Sequence, residues 1–480
     1  MPIDKYVLKK ESRKWVVAAV IIIAAVVGFS FLDSGAVGNH EAYVGVAARN
    51  MIESGDWVVP TFNGQPRLQK TPLCYWLVAS AGMVVGQVND FALRLPSAVL
   101  AVLSVIAILY FVSERFGLRI AAISAMFWVL SLGYIRYGHT GRPEMALASF
   151  VTIAMLSFYS GLKTQSRKKQ IRYMLVFWIS FALAMLAKGP APLPLILPAL
   201  FFYMAVFRKF KAIPKLLPIV GVIVFLLIVV PWPVMAGLKC PQAIGIWKDE
   251  FFGRAAGEYA SGGKPFYYYF RVIFTLFAPW VAFVPLAVMA PFYRVWERKQ
   301  KPMLYFWFWL VVSILMMTVA GGKRAHYILP AIPALAVLSG IILDDMLFIR
   351  KAYSKKFATN FVLIHIIAVV TVGIGLGIWS LKNKKELDHN AVIKDFALKT
   401  SQILEKGQDL TAYCKVNSSF IYYFDGQVGV ETDLEKIYEL YSNGGSIIAT
   451  GRNLETLESD GRFKVVFKGL DNGRGLLRKE

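Results

Sequence analysis

Five short stretches of this 480-residue sequence combine residue types that could do chemistry. Asn39-His40-Glu41-Ala42-Tyr43 sets an imidazole beside a carboxylate, and either group could take a proton from a hydroxyl or orient the group that does. The same pair also reads as two solvated loop residues. Arg67-Leu68-Gln69-Lys70-Thr71-Pro72-Leu73 places an ammonium beside a proline that starts a helix, which suits a phosphate or an ordinary snorkelling lysine. Gly141-Arg142-Pro143-Glu144 puts a carboxylate at the start of an apolar run, either as a plain helix-terminus charge or as a second catalytic acid. Gly321-Gly322-Lys323-Arg324-Ala325-His326-Tyr327 carries two adjacent cations, the natural partners of an anion. In the fifth, Trp247-Lys248-Asp249-Glu250-Phe251-Phe252-Gly253-Arg254, the guanidinium of Arg254 could reach an anionic head group, and Lys188, before Gly189-Pro190, adds a further cation.

These stretches punctuate long apolar segments. Hydrophobic residues make up 57% of the chain and charged residues only 17%, with a mean hydropathy of +0.53. A soluble domain would carry about 25% charged residues, so the composition excludes disorder, a coiled coil and an ordinary soluble enzyme. Apolar segments lie near 15–32, 73–87, 93–112, 118–137, 145–162, 173–187, 190–207, 214–236, 271–293, 303–320, 326–348 and 358–381. A span needs about 20 residues, and 73–87 is too short. If it does not cross, the loops 113–119, 163–172, 208–215, 293–301 and 350–356, all basic, share the cytoplasmic side with the N-terminus, as the positive-inside rule requires. The expectation is therefore a polytopic α-helical membrane protein with about eleven spans, a re-entrant helix at 73–87, and the tail outside. The same topology gathers the chemical stretches on the outer face.

The net charge of +23 comes from upstream of Lys382, since the tail beyond carries 15 basic and 15 acidic residues. That distribution opposes a nucleic-acid-binding tail and suits positive-inside loops with phosphate or anionic-lipid sites. The division expected is 1–382 in the membrane and 383–480 as a small α/β domain. Helices are expected at 391–406 and 432–442, and strands at 409–416, 445–450 and 463–468. Cys74, Cys240 and Cys414 match no metal or disulfide spacing. The first apolar run is too long for a cleaved signal and is read as a span.

The motifs together resemble the bacterial membrane glycosyltransferases of the protein O-mannosyltransferase superfamily, above all those that move aminoarabinose from a polyprenyl phosphate to lipid A. The resemblance rests on His40-Glu41, Arg49-Asn50-Met51, Gly55-Asp56-Trp57, Lys70-Thr71-Pro72-Leu73, Arg94-Leu95-Pro96, Lys188-Gly189-Pro190, Pro265-Phe266-Tyr267, Pro279-Trp280 and Lys323-Arg324-x-x-Tyr327-Ile328-Leu329-Pro330. It covers roughly 15–350, and the α/β tail also fits.

What the resemblance implies is a type-C glycosyltransferase fold in a bacterial inner membrane, with the C-terminal domain periplasmic. The implied enzyme takes a sugar from a polyprenyl-phosphate donor to a cell-envelope glycan or glycolipid, with no nucleic-acid partner. Glu41, with His40 beside it, would activate the acceptor, and Glu144 would orient acceptor or donor. Lys70, Arg254, Lys323, Arg324, Tyr327 and Lys188 would hold the lipid phosphate. Departures from the family are His40 for Asp, Tyr43 for Arg, Gln69 for Glu, Gly262 for His and Glu144 for Asp. Positions 69 and 262 form a metal pair in some relatives, and their joint loss implies a metal-free site without a cofactor. If the first loop is extended, adjacent side chains point apart, and on the family's path His40 faces the pocket. The alternatives are a degenerate member that binds polyprenyl-phosphate lipids without turnover, and a transporter, which would need paired broken helices.

Overall fold

The computed structural model describes residues 10–253, 264–293, 300–349, 384–404 and 408–479. The apolar runs fold as helices, beginning with α1 (Lys10–Phe29), α2 (Asn39–Ser54), α3 (Leu73–Val85), α4 (Asp90–Phe116), α5 (Leu118–Val129), α6 (Leu132–Gly138), α7 (Pro143–Lys163), α8 (Arg167–Lys188) and α9 (Pro192–Val206). Further helices cover Pro218–Val229, Pro231–Lys239, Ala243–Lys248, Tyr268–Phe277, Phe283–Met289, Gln300–Val319 and Ile332–Asp344. Proline opens α7 and α9, where a missing N–H costs nothing. Ser166 caps α8 by accepting the Lys169 N–H.

Among the described residues, seven helices are long and apolar enough to cross a membrane, or eight if α5 and α6, bent by 60°, make one span. The protein is multi-pass. The expected eleven spans are not all continuous helices. The run 190–207 yields a helix of only 15 residues, about 22 Å long. The run 271–293 breaks into Tyr268–Phe277 and Phe283–Phe292, because Pro279 cannot continue the first helix. The run 358–381 lies outside the described residues.

Contacts divide the chain into two compact units. One holds the described parts of 1–31, 68–74 and 94–374; the other holds 32–67, 75–93 and the C-terminal part from 375. The sequence boundary at 382/383 had left the first loop with the membrane part.

In the first unit, side-chain hydrogen bonds to main-chain oxygens join the helices. Ser149 Oγ donates to Leu100 O (2.8 Å), Tyr305 Oη to Met155 O (2.6 Å) and Ser313 Oγ to Leu195 O (3.0 Å). Gly340 allows Ile332–Asp344 to touch α5, since a Cβ there would meet Ser124 Oγ at 2.1 Å. The ends of the bundle are chemically distinct. The basic loops contact one another: Lys169 Nζ lies 2.7 Å from Glu114 Oε1, Arg115 donates to Ser160 O, and Gln170 to Lys215 O. At the other end, His139 Nε2 lies 3.0 Å from Ser30 O, just past α1, and Ser97 Oγ donates to Arg142 O near the start of α4. Helix α1 thus ends, and α4 begins, at the same end of the bundle. The run 73–87 folds as α3, a helix of 13 residues, shorter than a span needs.

The second unit contains a five-stranded sheet ordered β4 (Gly429–Glu431), β3 (Leu410–Tyr413), β5 (Ser446–Thr450), β7 (Arg474–Leu477), β6 (Val465–Lys468). The β3–β4 and β3–β5 pairs are parallel, while β5–β7 and β6–β7 are antiparallel. Helices Lys384–Ile403, Ser418–Phe424, Leu434–Ser442 and Arg452–Asp460 accompany it. The first loop belongs to this unit. The Asn63 amide pairs with both the N–H and the carbonyl of Val428 at 2.8 Å, and β1 (Thr61–Phe62) and β2 (Gln65–Pro66) form the hairpin that presents it. Arg49 forms an ion pair with Asp425, and Asp90 accepts from Lys394 (2.9 Å) and Tyr423 (3.0 Å).

Candidate active site

Glu144 is in the first turn of α7 and is only 4% exposed. Its Oε1 is reached by Arg142 Nη2 at 3.2 Å, Lys188 Nζ at 3.2 Å and His326 Nε2 at 3.3 Å. Antiparallel packing of α7 and α8 places the last residue of α8 beside the first turn of α7. The turn before Ile332–Asp344 supplies His326. A buried carboxylate needs such partners to be tolerated at all. Glu144 Oε2, by contrast, is buried without a hydrogen-bond partner among the described residues.

The turn 68–74 packs against this cage. Thr71 Oγ1 accepts the Gly189 N–H at 3.1 Å, directly after Lys188. Cys74 Sγ lies 3.9 Å from Ala187 O, and burial, reinforced by the Glu144 charge, pushes its thiol up to about 12. Trp247 Nε1 donates to Leu68 O at 3.0 Å, and Lys70 forms an ion pair with Glu250, itself only 7% exposed. Lys188 Nζ also stands 5.3 Å from the Tyr327 ring centre, and Tyr269 Oη donates to Arg324 O at 3.3 Å.

The structure thus brings together Glu144, Lys188 and Tyr327, with the Lys70 turn docked beside them. Lys323 and Arg324 are half-buried in the chain just before His326. Arg254 and Gly262 lie outside the described residues. The first loop is not extended at His40-Glu41, because both lie in the first turn of α2. There the two side chains diverge by about 100°. His40 is exposed, whereas Glu41 is buried and its Oε2 accepts the Gly38 N–H at 3.3 Å. Both belong to the second unit. Tyr43 carries the Arg67 guanidinium over its ring at 3.6 Å, so a guanidinium reaches this position from elsewhere in the loop.

Sequence reasoning missed Arg142, His326, Glu250 and Cys74 as members of the site. His326 and Arg142 stood inside quoted motifs, and a lone histidine beside Lys-Arg near a span was the available signal. Glu250 had none. Gln69 Oε1 is buried without a hydrogen-bond partner, and no three His, Cys, Asp or Glu side chains are grouped for a metal among the described residues.

Residues 69–234 match the family described as dolichyl-phosphate-mannose-protein mannosyltransferase. An uncharacterized protein of Aquifex aeolicus is 29% identical over 320 residues, covering 64% of this chain and 59% of the relative. The undecaprenyl phosphate-alpha-4-amino-4-deoxy-L-arabinose arabinosyl transferase of Aeromonas hydrophila is 28% identical over 320 residues, covering 65% and 56%. The chain therefore spans less than two thirds of the curated relatives it matches. In fold it is similar to ArnT from Cupriavidus metallidurans bound to undecaprenyl phosphate, with TM-score 0.80, 19% identity and 97% and 98% of the two chains covered. It is also similar to the oligosaccharyltransferase AglB from Archaeoglobus fulgidus, with TM-score 0.62, 13% identity and 92% and 70% covered.

Proposed function

We propose that this chain, which resembles the protein O-mannosyltransferase superfamily and within it the aminoarabinose transferases, is a glycosyltransferase of the bacterial inner membrane. It uses a polyprenyl-phosphate-linked sugar and works at the outer face, with the α/β domain periplasmic. The acceptor is a hydroxyl of a cell-envelope glycan or glycolipid.

The observation that carries this reading is the cage around Glu144 with the Lys70 turn docked against it. A lipid phosphate leaves as an anion and needs cations already in place. Lys188 and the Lys323-Arg324 pair supply them, with Tyr327 bracing Lys188 and Arg254 adding a further cation. Lys70 is held by Glu250 in the free protein, and the donor phosphate displaces that carboxylate. The acceptor oxygen attacks the anomeric carbon, the carbon–oxygen bond to phosphate breaks, and the hydroxyl proton passes to a carboxylate. Three donors already engage Glu144 Oε1, so Glu144 anchors the cage and leaves Oε2 to orient substrate. Proton removal falls to Glu41, and His40 lies beside it as the second candidate. In the turn docked against the cage, Gln69 takes the place that the resemblance gives to a metal ligand in some relatives, so the reading invokes no metal.

The test supplies membranes containing the protein with a polyprenyl-phosphate-linked radiolabelled sugar and an envelope lipid extract. The expected result is label on the extract together with release of polyprenyl phosphate. Saturable donor binding without release would support the degenerate lipid-binding alternative, for which the His40 departure speaks. Neither binding nor release would remove the assignment.

A further inference from the structure

Three tyrosines from three helices meet at the basic end of the first unit, opposite the Glu144 cage. The Tyr159 and Tyr305 ring centres are 4.6 Å apart, and those of Tyr203 and Tyr305 are 5.0 Å apart. Each tyrosine carries a lysine towards that end. Lys163 Nζ stands 5.7 Å from the Tyr159 ring centre. Lys209 Nζ stands 5.0 Å from the Tyr203 ring centre and 3.1 Å from its hydroxyl. Lys301 precedes Tyr305 by four residues on Gln300–Val319, so it projects from the same face one turn nearer the end.

Three ammoniums gathered at one end of the bundle, two of them over tyrosine rings, repel each other unless an anion joins them. Nearby carboxylates are engaged elsewhere: Glu114 with Lys169 and Arg115, and Asp344 with Arg119. None of the three lysines has an acidic side chain within ion-pair distance among the described residues; Glu297 lies outside them. Burial, then the charges of Lys163 and Lys301, bring the Lys209 ammonium down to about 8. An ammonium so placed gains by acquiring a counter-ion.

The geometry points to a phosphate-binding site formed by Lys163, Lys209 and Lys301, separate from the Glu144 cage. Its occupant is a phosphate monoester or phosphate ion, carried either by an anionic lipid headgroup or free in solution. The site contributes binding and leaves the transfer chemistry at the other end.

The test uses the full chain in neutral maltoside micelles and follows thermal unfolding. The probes are dioctanoyl phosphatidic acid, dioctanoylglycerol and inorganic phosphate. Phosphatidic acid should raise the unfolding temperature with saturation, and dioctanoylglycerol should not. A response to phosphatidic acid alone assigns the site to a lipid headgroup. An equal response to inorganic phosphate assigns it to the free ion. The triple variant Lys163→Gln, Lys209→Gln, Lys301→Gln should bind about a hundredfold more weakly, at about fivefold per lysine. Where that variant fails to fold, the exposed Lys301→Gln alone should lose about fivefold. Equal stabilisation by dioctanoylglycerol, no stabilisation by either phosphate probe, or unchanged phosphate affinity in the lysine variants would overturn the site.

Discussion

Lys188 Nζ stands 3.2 Å from Glu144 Oε1 although 44 residues separate them, and both side chains are almost wholly buried. The pair closes the end of the α7–α8 hairpin and ties the two helix ends that face the Lys70 turn. Removing Glu144 leaves Lys188 buried and uncompensated, at a cost of about 3–5 kcal/mol, and removing Lys188 leaves Glu144 with only Arg142 and His326. Lys188→Ala should therefore lower the unfolding temperature in detergent sharply, and Glu144→Gln should do likewise. The double variant should be less damaged than the sum of the two. Strict additivity would show that the two groups do not interact.

Glu250 holds Lys70 in the free protein, and the donor phosphate must compete with it. Glu250→Gln removes the competitor and keeps the side chain's size. Donor affinity, measured by displacement of a labelled polyprenyl phosphate, should rise several-fold. Weaker binding would make Glu250 part of the donor site itself.

The position of Glu41 gives it a helix-terminus task beside any chemical one. Glu41→Gln should reduce kcat by about 10²- to 10⁴-fold, the range for a lost general base, with a stability loss of about 1 kcal/mol. Full activity in Glu41→Gln would leave it as a cap alone. His40 is exposed, and His40→Ala should keep the pH–rate profile unchanged. Loss of a limb between about pH 5.5 and 7.5 in that variant would identify the imidazole as the base.

Cys74 provides a test of the docked turn. Alkylation needs the thiolate, and a thiol at about 12 is ionised to only roughly one part in 10⁴ at pH 8. Its rate should rise with pH well beyond 8. Maleimide should label the half-exposed Cys414 first. Fast labelling of Cys74 in the folded protein would mean that the turn is open.

The membrane part was legible in the sequence because apolar length and loop charge are local properties. Segment 73–87 was read as non-spanning from its length and from the loops that follow it, and its helix has 13 residues. The site was legible only in pieces. Lys188, Glu144 and Tyr327 were named, but their meeting depends on how α7, α8 and the 325–331 turn pack, which no spacing encodes. The resemblance implied a helix ending at Arg49-Asn50-Met51, but the extended reading of His40-Glu41 missed that α2 begins at Asn39, although Glu41 sits at the third helical position, where a carboxylate reaches back to the preceding N–H. In the tail, β3, β5 and β6 and two helices lie where expected. Strands β4 and β7 were missed, being three and four residues long and each containing glycine. The first loop's place with the C-terminal sheet rests on contacts such as Asn63 to Val428, 365 residues apart.

Topology is checked with reporter fusions at Lys168 and Glu458. They should report opposite sides of the membrane, with Lys168 cytoplasmic. The same side for both would mean that an even number of spans separates Lys168 from Glu458, and a reversed pair, with Lys168 outside and Glu458 inside, would mean that the segment between α1 and α4 crosses.

The most direct measurement is mass spectrometry of envelope glycans and glycolipids from cells with and without the protein. The account expects one class of molecule to lose the mass of a single sugar on deletion. Wild type should restore it, and a Glu41→Gln variant present at normal level in the membrane should not. An unchanged envelope profile on deletion, or full restoration by that variant, would contradict the account.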